Sequence, residues 1–175
     1  EEMAEFRFIY LCTSNVCRSP LAHAIASDFI QSHHLESRVT ACSRGLTDNY
    51  SEWGSPAEPR MIIAAQNANV STGVMKTLQD HQSMLLTVED VVDPTVFLFL
   101  VTSHHEDWVR QSVGNEAVDL ASRQGRLRLI CQNNEDVPDP FFGEQEHYDS
   151  VCQTLLEETT KTLQEVLVSR GFMES

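Results

Sequence analysis

Positive charge is scarce in this chain. Lysine and arginine number 12 against 26 aspartates and glutamates, a formal net charge of −14 over 175 residues. So acidic a surface repels nucleic acid and anionic lipid, and neither is expected as a partner. Long hydrophobic runs are lacking too: nothing approaches the roughly 20 apolar residues that span a bilayer. Glu1 to Glu5 carries neither the basic nor the apolar part of a secretory signal. A soluble, cytoplasmic protein with no membrane attachment is expected. Cysteines are few, an odd and scattered set of five at positions 12, 17, 42, 131 and 152. That excludes a disulfide framework and zinc-finger spacing, and implies a reducing compartment. With 41% hydrophobic residues the chain can build one core and is short for two, so a single domain over 1–175 is expected.

What the chain does have is concentrated near its start. Phe6 to Leu11 is a short apolar run that reads as a buried strand, and Pro20 followed by Leu21, Ile25 and Phe29 at helical spacing reads as a helix to about Ser32. Ser19 is expected to cap that helix and Pro20 to be its first residue, where a missing N–H costs nothing. Between strand and helix lies Cys12-Thr-Ser-Asn-Val-Cys-Arg18, a tight loop without glycine but rich in Ser, Thr and Asn. Backbone N–H groups in such a loop converge on an anion, and the helix N-terminus adds partial positive charge. A phosphate fits there. The same field favours a thiolate, so Cys12 is expected to be a nucleophile near neutral pH. Arg18 offers two N–H donors to two phosphate oxygens, and Ser19 is placed to donate its hydroxyl proton to the Cys12 sulfur.

Cys-Thr-Ser-Asn-Val-Cys-Arg-Ser-Pro resembles the phosphate-binding loop of the low-molecular-weight protein tyrosine phosphatases, and Asp139-Pro-Phe-Phe-Gly143 resembles the general-acid motif that the family carries near its C-terminus. The resemblance implies an α/β fold, a single three-layer αβα domain with a four-stranded parallel sheet and helices on both faces. It also implies a cysteinyl-phosphate intermediate, no metal or cofactor, a monomer, and a phosphate-binding loop at 12–19 with the acid loop at 133–143. Thr13, Ser14, Asn15, Val16, Cys17 and Ser19 would then surround the substrate phosphate, with inorganic phosphate or another oxyanion as an alternative occupant. A serine that ends the second strand of the family steadies the loop asparagine, and Ser43 and Asn15 match that pair. An aromatic residue walls the family's pocket, for which Trp53 and Tyr50 are candidates. The His and Arg of a Ser-x-His-x-Ala-Arg segment behind the loop are expected to be replaced around Ser71 to Lys76. Cys17, beside the nucleophile, is implied to form a reversible, protective disulfide with it.

Along the rest of the chain, Arg38 to Ser43 reads as the second strand with Arg44-Gly45 as a turn, Thr47 to Arg60 as a loop, Arg60 to Gln66 as a helix, and Asn67 to Leu78 as irregular. Val88 to Val92 reads as a helical turn, and Val96 to Val101 as a strand buried on both faces. Thr102 or Ser103 is the expected N-cap of a helix through Val113, with Glu106 completing a capping box if Ser103 leads, and His104 and His105 as members of its start rather than ligands. Asn115 to Ser122 reads as a helix, Leu127 to Cys131 as the fourth strand, and the chain closes with an amphipathic helix from about Tyr148. Alternating strands and helices predict a parallel sandwich with ligands at the carboxyl ends of the strands, where Cys12 falls.

The expected reaction is hydrolysis of a phosphotyrosine monoester in a protein. Cys12 attacks phosphorus, Arg18 clamps the phosphoryl oxygens, and Asp139 protonates the leaving oxygen and then serves as base for water. Pro138, Pro140, Phe141 and Phe142 are expected to desolvate Asp139, and the two phenylalanines to flank the mouth and stack on an aryl group. Three other readings compete. An arsenate reductase of this fold needs two relay cysteines, and none lies between Cys42 and Cys131. A phosphoarginine phosphatase carries threonine where this chain has Val16. A phosphate-binding module without catalysis has no use for an acid such as Asp139.

Overall fold

The computed structural model describes residues 5–175. Four strands, β1 (Phe6–Cys12), β2 (Val39–Gly45), β3 (Val96–Leu100) and β4 (Leu127–Leu129), form one parallel sheet in the order β2-β1-β3-β4. Seven helices fill the connections: α1 (Arg18–Ser32), α2 (Pro59–Asn67), α3 (Thr72–Gln79), α4 (Val88–Val92), α5 (His105–Val113), α6 (Asn115–Arg123) and α7 (Gln145–Ser169). β1 lies centrally, Cys12 pairing with Gly45 of β2 and Leu11 with Leu100 of β3.

The apolar run of β1 conceals a strict alternation, because successive side chains leave a strand on opposite faces. Phe6, Phe8, Tyr10 and Cys12 join one core with α1, α2, α3 and α7, whereas Ile9 and Leu11 join another with Val91, Val109 and Val118 of α4, α5 and α6. Covered on both faces, the central strands have no use for a polar side, hence their continuous hydrophobicity. The first core stacks aromatics across the strands, Tyr10 on Phe99 with centroids 5.0 Å apart. The three-layer architecture is the one expected, and no helix among the described residues is long and apolar enough to cross a membrane.

Several boundaries differ from expectation. α1 starts at Arg18 with Cys17 before it and no side-chain cap, so Ser19 is inside the helix. Pro20 is tolerated there because the N–H groups of a first turn have no intrahelical acceptor. The stretch after Asn67 is not irregular. Ser71 accepts from the Val74 N–H at 3.1 Å and opens α3, whose Val74 and Leu78 are buried against α1. Ser103 does not cap α5: its N–H donates to Asp136 Oδ1 at 2.7 Å and its hydroxyl faces Asp136 Oδ2 at 3.3 Å. β2 runs on through Arg44 and Gly45 where a turn was expected, β4 stops at Leu129, and α7 starts at Gln145.

Candidate active site

The loop from Cys12 to Arg18 closes the carboxyl end of β1 and opens α1, so strand end and helix start meet at one point. Asn15 reverses the chain there, buried, at φ +59°. Left-handed backbone disfavours a side chain by about 1–2 kcal/mol, less for asparagine than for most residues, and here both the side-chain amide and the carbonyl of the residue are engaged. Its Nδ2 donates to Ser43 Oγ at 2.8 Å and to Ser19 Oγ at 2.9 Å, and its Oδ1 accepts from the Met84 N–H at 2.9 Å. Its carbonyl meets Nε2 of His81. A histidine thus stands behind the loop, although none occupies the segment from Ser71 to Lys76. That segment is the N-cap and first part of α3, and His81 lies two residues beyond the end of the helix.

Gly45 closes the cup from below. A Cβ there would lie 3.0 Å from Asn15 Cβ, the Ser14 carbonyl carbon and the Trp53 ring. Two of those atoms belong to the loop itself and have little freedom to retreat. Gly45→Ala is expected to lower stability by about 1–3 kcal/mol, the usual penalty of overpacking, and to weaken phosphate binding. Denaturant unfolding and phosphate titration of the variant check both.

With Asn15 donating into Ser19 Oγ, the Ser19 hydroxyl proton is left for the Cys12 sulfur, 2.9 Å away; the Ser19 N–H points at the same sulfur at 3.4 Å. Both contacts place Ser19 donors against the sulfur. Arg18 is buried, 4% of its side chain exposed, with Nη1 donating to the Val137 carbonyl at 2.8 Å and Nη2 3.7 Å from Asp139 Oδ2. The guanidinium thus joins the loop to the segment that carries Asp139. Asp139 itself is not desolvated as expected. Its side chain is 55% exposed, because Phe141 and Phe142 turn outward instead of covering it. Oδ1 accepts from the Phe141 N–H at 3.1 Å, and Oδ2 is the oxygen that faces Arg18.

Cys12, Thr13, Ser14, Val16, Cys17 and Arg18 form the floor of a cavity of about 350 Å³. Asn15 and Ser19, expected to touch substrate, point away from it and hold the loop from behind. The wall expected from Trp53 is supplied by Tyr50 and Ser51. Trp53 is half-buried over Gly45, a position from which its ring cannot reach the mouth. Asp139, Phe141 and Phe142 form the opposite side, the two rings edge to face at 4.9 Å. The five cysteines are free thiols; burial, then the charge of Cys12, pushes the Cys17 thiol well up. Among the described residues no cluster of His, Cys, Asp and Glu could hold a metal ion.

Sequence reasoning missed a third wall. His104 and Trp108 line the cavity from the start of α5, and His105 lies buried behind them with Nε2 3.0 Å from Thr13 Oγ1. The partners stand 92 positions apart, so no local pattern could have paired them. Burial first, then Arg18 and His104, holds His105 at about 3. The unfolded chain binds that proton near the usual 6.5, so the stability gained by keeping His105 neutral is whole above this pH and is lost as pH falls through it. A loss of about 2 kcal/mol by about pH 5 is expected from this residue alone. Urea unfolding across pH 5 to 7 should show it, with a flatter slope in His105→Gln.

The family model described as low molecular weight phosphotyrosine protein phosphatase matches residues 7–170. Over 154 residues the chain is 40% identical to the low molecular weight protein-tyrosine-phosphatase PtpB of Staphylococcus aureus, covering 86% of this chain and 91% of that one. The pig low molecular weight phosphotyrosine protein phosphatase is 22% identical over 148 residues, 83% and 85% of the two chains. In fold the chain is similar to Wzb of Vibrio vulnificus in complex with benzylphosphonate, at TM-score 0.72 and 21% identity over 91% of this chain and 98% of that one. It is similar also to the arginine phosphatase YwlE with a phosphorylated active-site serine, at TM-score 0.72 and 19% identity over 96% and 100%. From residue 7 to residue 170, the chain belongs to the low molecular weight phosphotyrosine protein phosphatase family.

Proposed function

We propose that this protein hydrolyses phosphotyrosine and related aryl phosphate monoesters in protein substrates through a cysteinyl-phosphate intermediate. The observation that carries the reading is the convergence of the Cys12 sulfur, the Arg18 guanidinium and the Asp139 carboxyl on one cavity with aromatic sides. Cys12 Sγ attacks phosphorus and the ester P–O bond breaks as the S–P bond forms. Arg18 and the loop N–H groups hold the non-bridging oxygens while charge shifts. The Asp139 Oδ2 proton goes to the departing phenolate. The resulting carboxylate then takes a proton from water, which displaces phosphate from sulfur. Ser19 stabilises the thiolate that leaves.

Phosphoarginine is the second reading, favoured by the fold shared with an arginine phosphatase. Val16 on the cavity floor speaks for the aryl ester, since a branched apolar group packs on a ring and offers a guanidine no acceptor. A phosphotyrosyl peptide, an aryl phosphate and phosphoarginine, each given to wild type and Cys12→Ser, test the proposal. Turnover of the aryl esters by wild type alone supports it, and preference for phosphoarginine selects the second reading. Equal rates for both proteins would leave a phosphate-binding module. Chelator should change nothing.

A further inference from the structure

His105 is a larger commitment than a helix start requires. The residue is fully buried, and its Nδ1 has no hydrogen-bond partner among the described residues. Among the described residues the ring has one hydrogen-bond contact, Nε2 with the Thr13 hydroxyl, 3.0 Å away on the floor of the cavity. A neutral imidazole carries one N–H, so the contact has two forms. If the proton sat on Nδ1, a buried donor would face no acceptor, the arrangement that forfeits the whole solvation of the group. With the proton on Nε2, the ring donates to Thr13 Oγ1 and only a lone pair is left without a partner. Thr13 Oγ1 then has its acceptor side filled and its own proton free. No other acceptor among the described residues takes that proton, and Thr13 borders the space where the phosphoryl group would lie.

The same logic operates once already in the loop, where Asn15 fills the acceptor side of Ser19 and leaves the Ser19 proton for sulfur. We infer that His105 is a positioning residue that aims the Thr13 hydroxyl proton into the cavity, as a hydrogen bond to a phosphoryl oxygen of the substrate. The inference rests on the proposed phosphatase reaction and adds a donor to it. The floor thereby holds two hydroxyls set from behind by buried nitrogen donors, one serving the nucleophile and one the electrophile.

The experiment compares Thr13→Val, Thr13→Ser, His105→Gln, His105→Leu and the double variant Thr13→Val/His105→Leu. For each it measures kcat and KM on an aryl phosphate, the binding of inorganic phosphate, and Tm. Thr13→Val is expected to lower kcat/KM and phosphate affinity by about tenfold, the scale of one hydrogen bond. Thr13→Ser restores both. His105→Leu reproduces the Thr13→Val loss, whereas His105→Gln, which keeps a donor at the Nε2 position, recovers most of it. The double variant is no worse than either single one. A purely structural histidine predicts otherwise: losses tracking Tm, no rescue by Gln, and additive effects, any of which overturns the inference, as does a Thr13→Val protein within twofold of wild type. Should wild type turn over no aryl phosphate, the proposed reaction fails by itself. The phosphate titrations then still decide the positioning role, unchanged affinity in Thr13→Val refuting it.

Discussion

Cys12→Ser is expected to reduce turnover of aryl phosphates to background, a fall of about 10⁴-fold or more, the scale on which covalent mechanisms lose rate without their nucleophile. The physical ground is local. A serine hydroxyl at this position stays protonated where sulfur can be an anion, and the Ser19 hydroxyl and N–H, 2.9 and 3.4 Å from the sulfur, are arranged to serve that anion. Binding should survive the substitution. The loop N–H groups and Arg18 are unchanged, and removing a negative sulfur relieves its repulsion of a dianion. Steady-state assay with titration of inorganic phosphate separates the two effects. Loss of binding in parallel with activity would mean that the loop had collapsed and that the test had read folding instead of chemistry.

Asp139→Asn is expected to lower kcat by about 10²–10³, within the range of general acid catalysis, and the size should depend on the leaving group. Phenolate departs as a strong base and needs the proton; nitrophenolate leaves readily without one. The variant should therefore lose most on phenyl phosphate and phosphotyrosine, and least on nitrophenyl phosphate. Asparagine preserves the local geometry because its Oδ1 can still accept the Phe141 N–H that Asp139 accepts at 3.1 Å. A uniform loss across leaving groups would argue that Asp139 orders Arg18, 3.7 Å away, instead of supplying a proton. Half-exposed as it is, Asp139 is open in the proposed reaction to the water from which its carboxylate takes a proton in the second step.

The parts of this fold legible in the sequence are those whose causes are local. The apolar run of β1 abuts Ser19-Pro20, so strand, loop and helix follow within 15 residues and the Cys–Arg spacing lies between them. β3 is legible for the same reason, a continuous run too short for a buried helix and rich in phenylalanine. α3 is not, because Thr72 and Gly73 open it with weak helix formers, and it exists through burial of Val74 and Leu78. The loop contacts of His81 and His105 are not legible because each bonds a loop atom, 66 and 92 positions away respectively. The choice between Tyr50 and Trp53 depended on the path of a loop, and the ring nearer in sequence to Gly54 went over Gly45. Asp139 was placed by its motif, yet its exposure was not, since prolines on either side constrain a backbone without covering a side chain.

Arg18 carries one further implication. Its guanidinium ties the Val137 carbonyl with one nitrogen and faces Asp139 with the other. An arriving phosphate dianion competes for that second nitrogen, so filling the cradle loosens the tie between the loop and the segment that carries Asp139. Ligand entry would then release that segment from the arginine on one side while the Val137 carbonyl keeps it in place on the other.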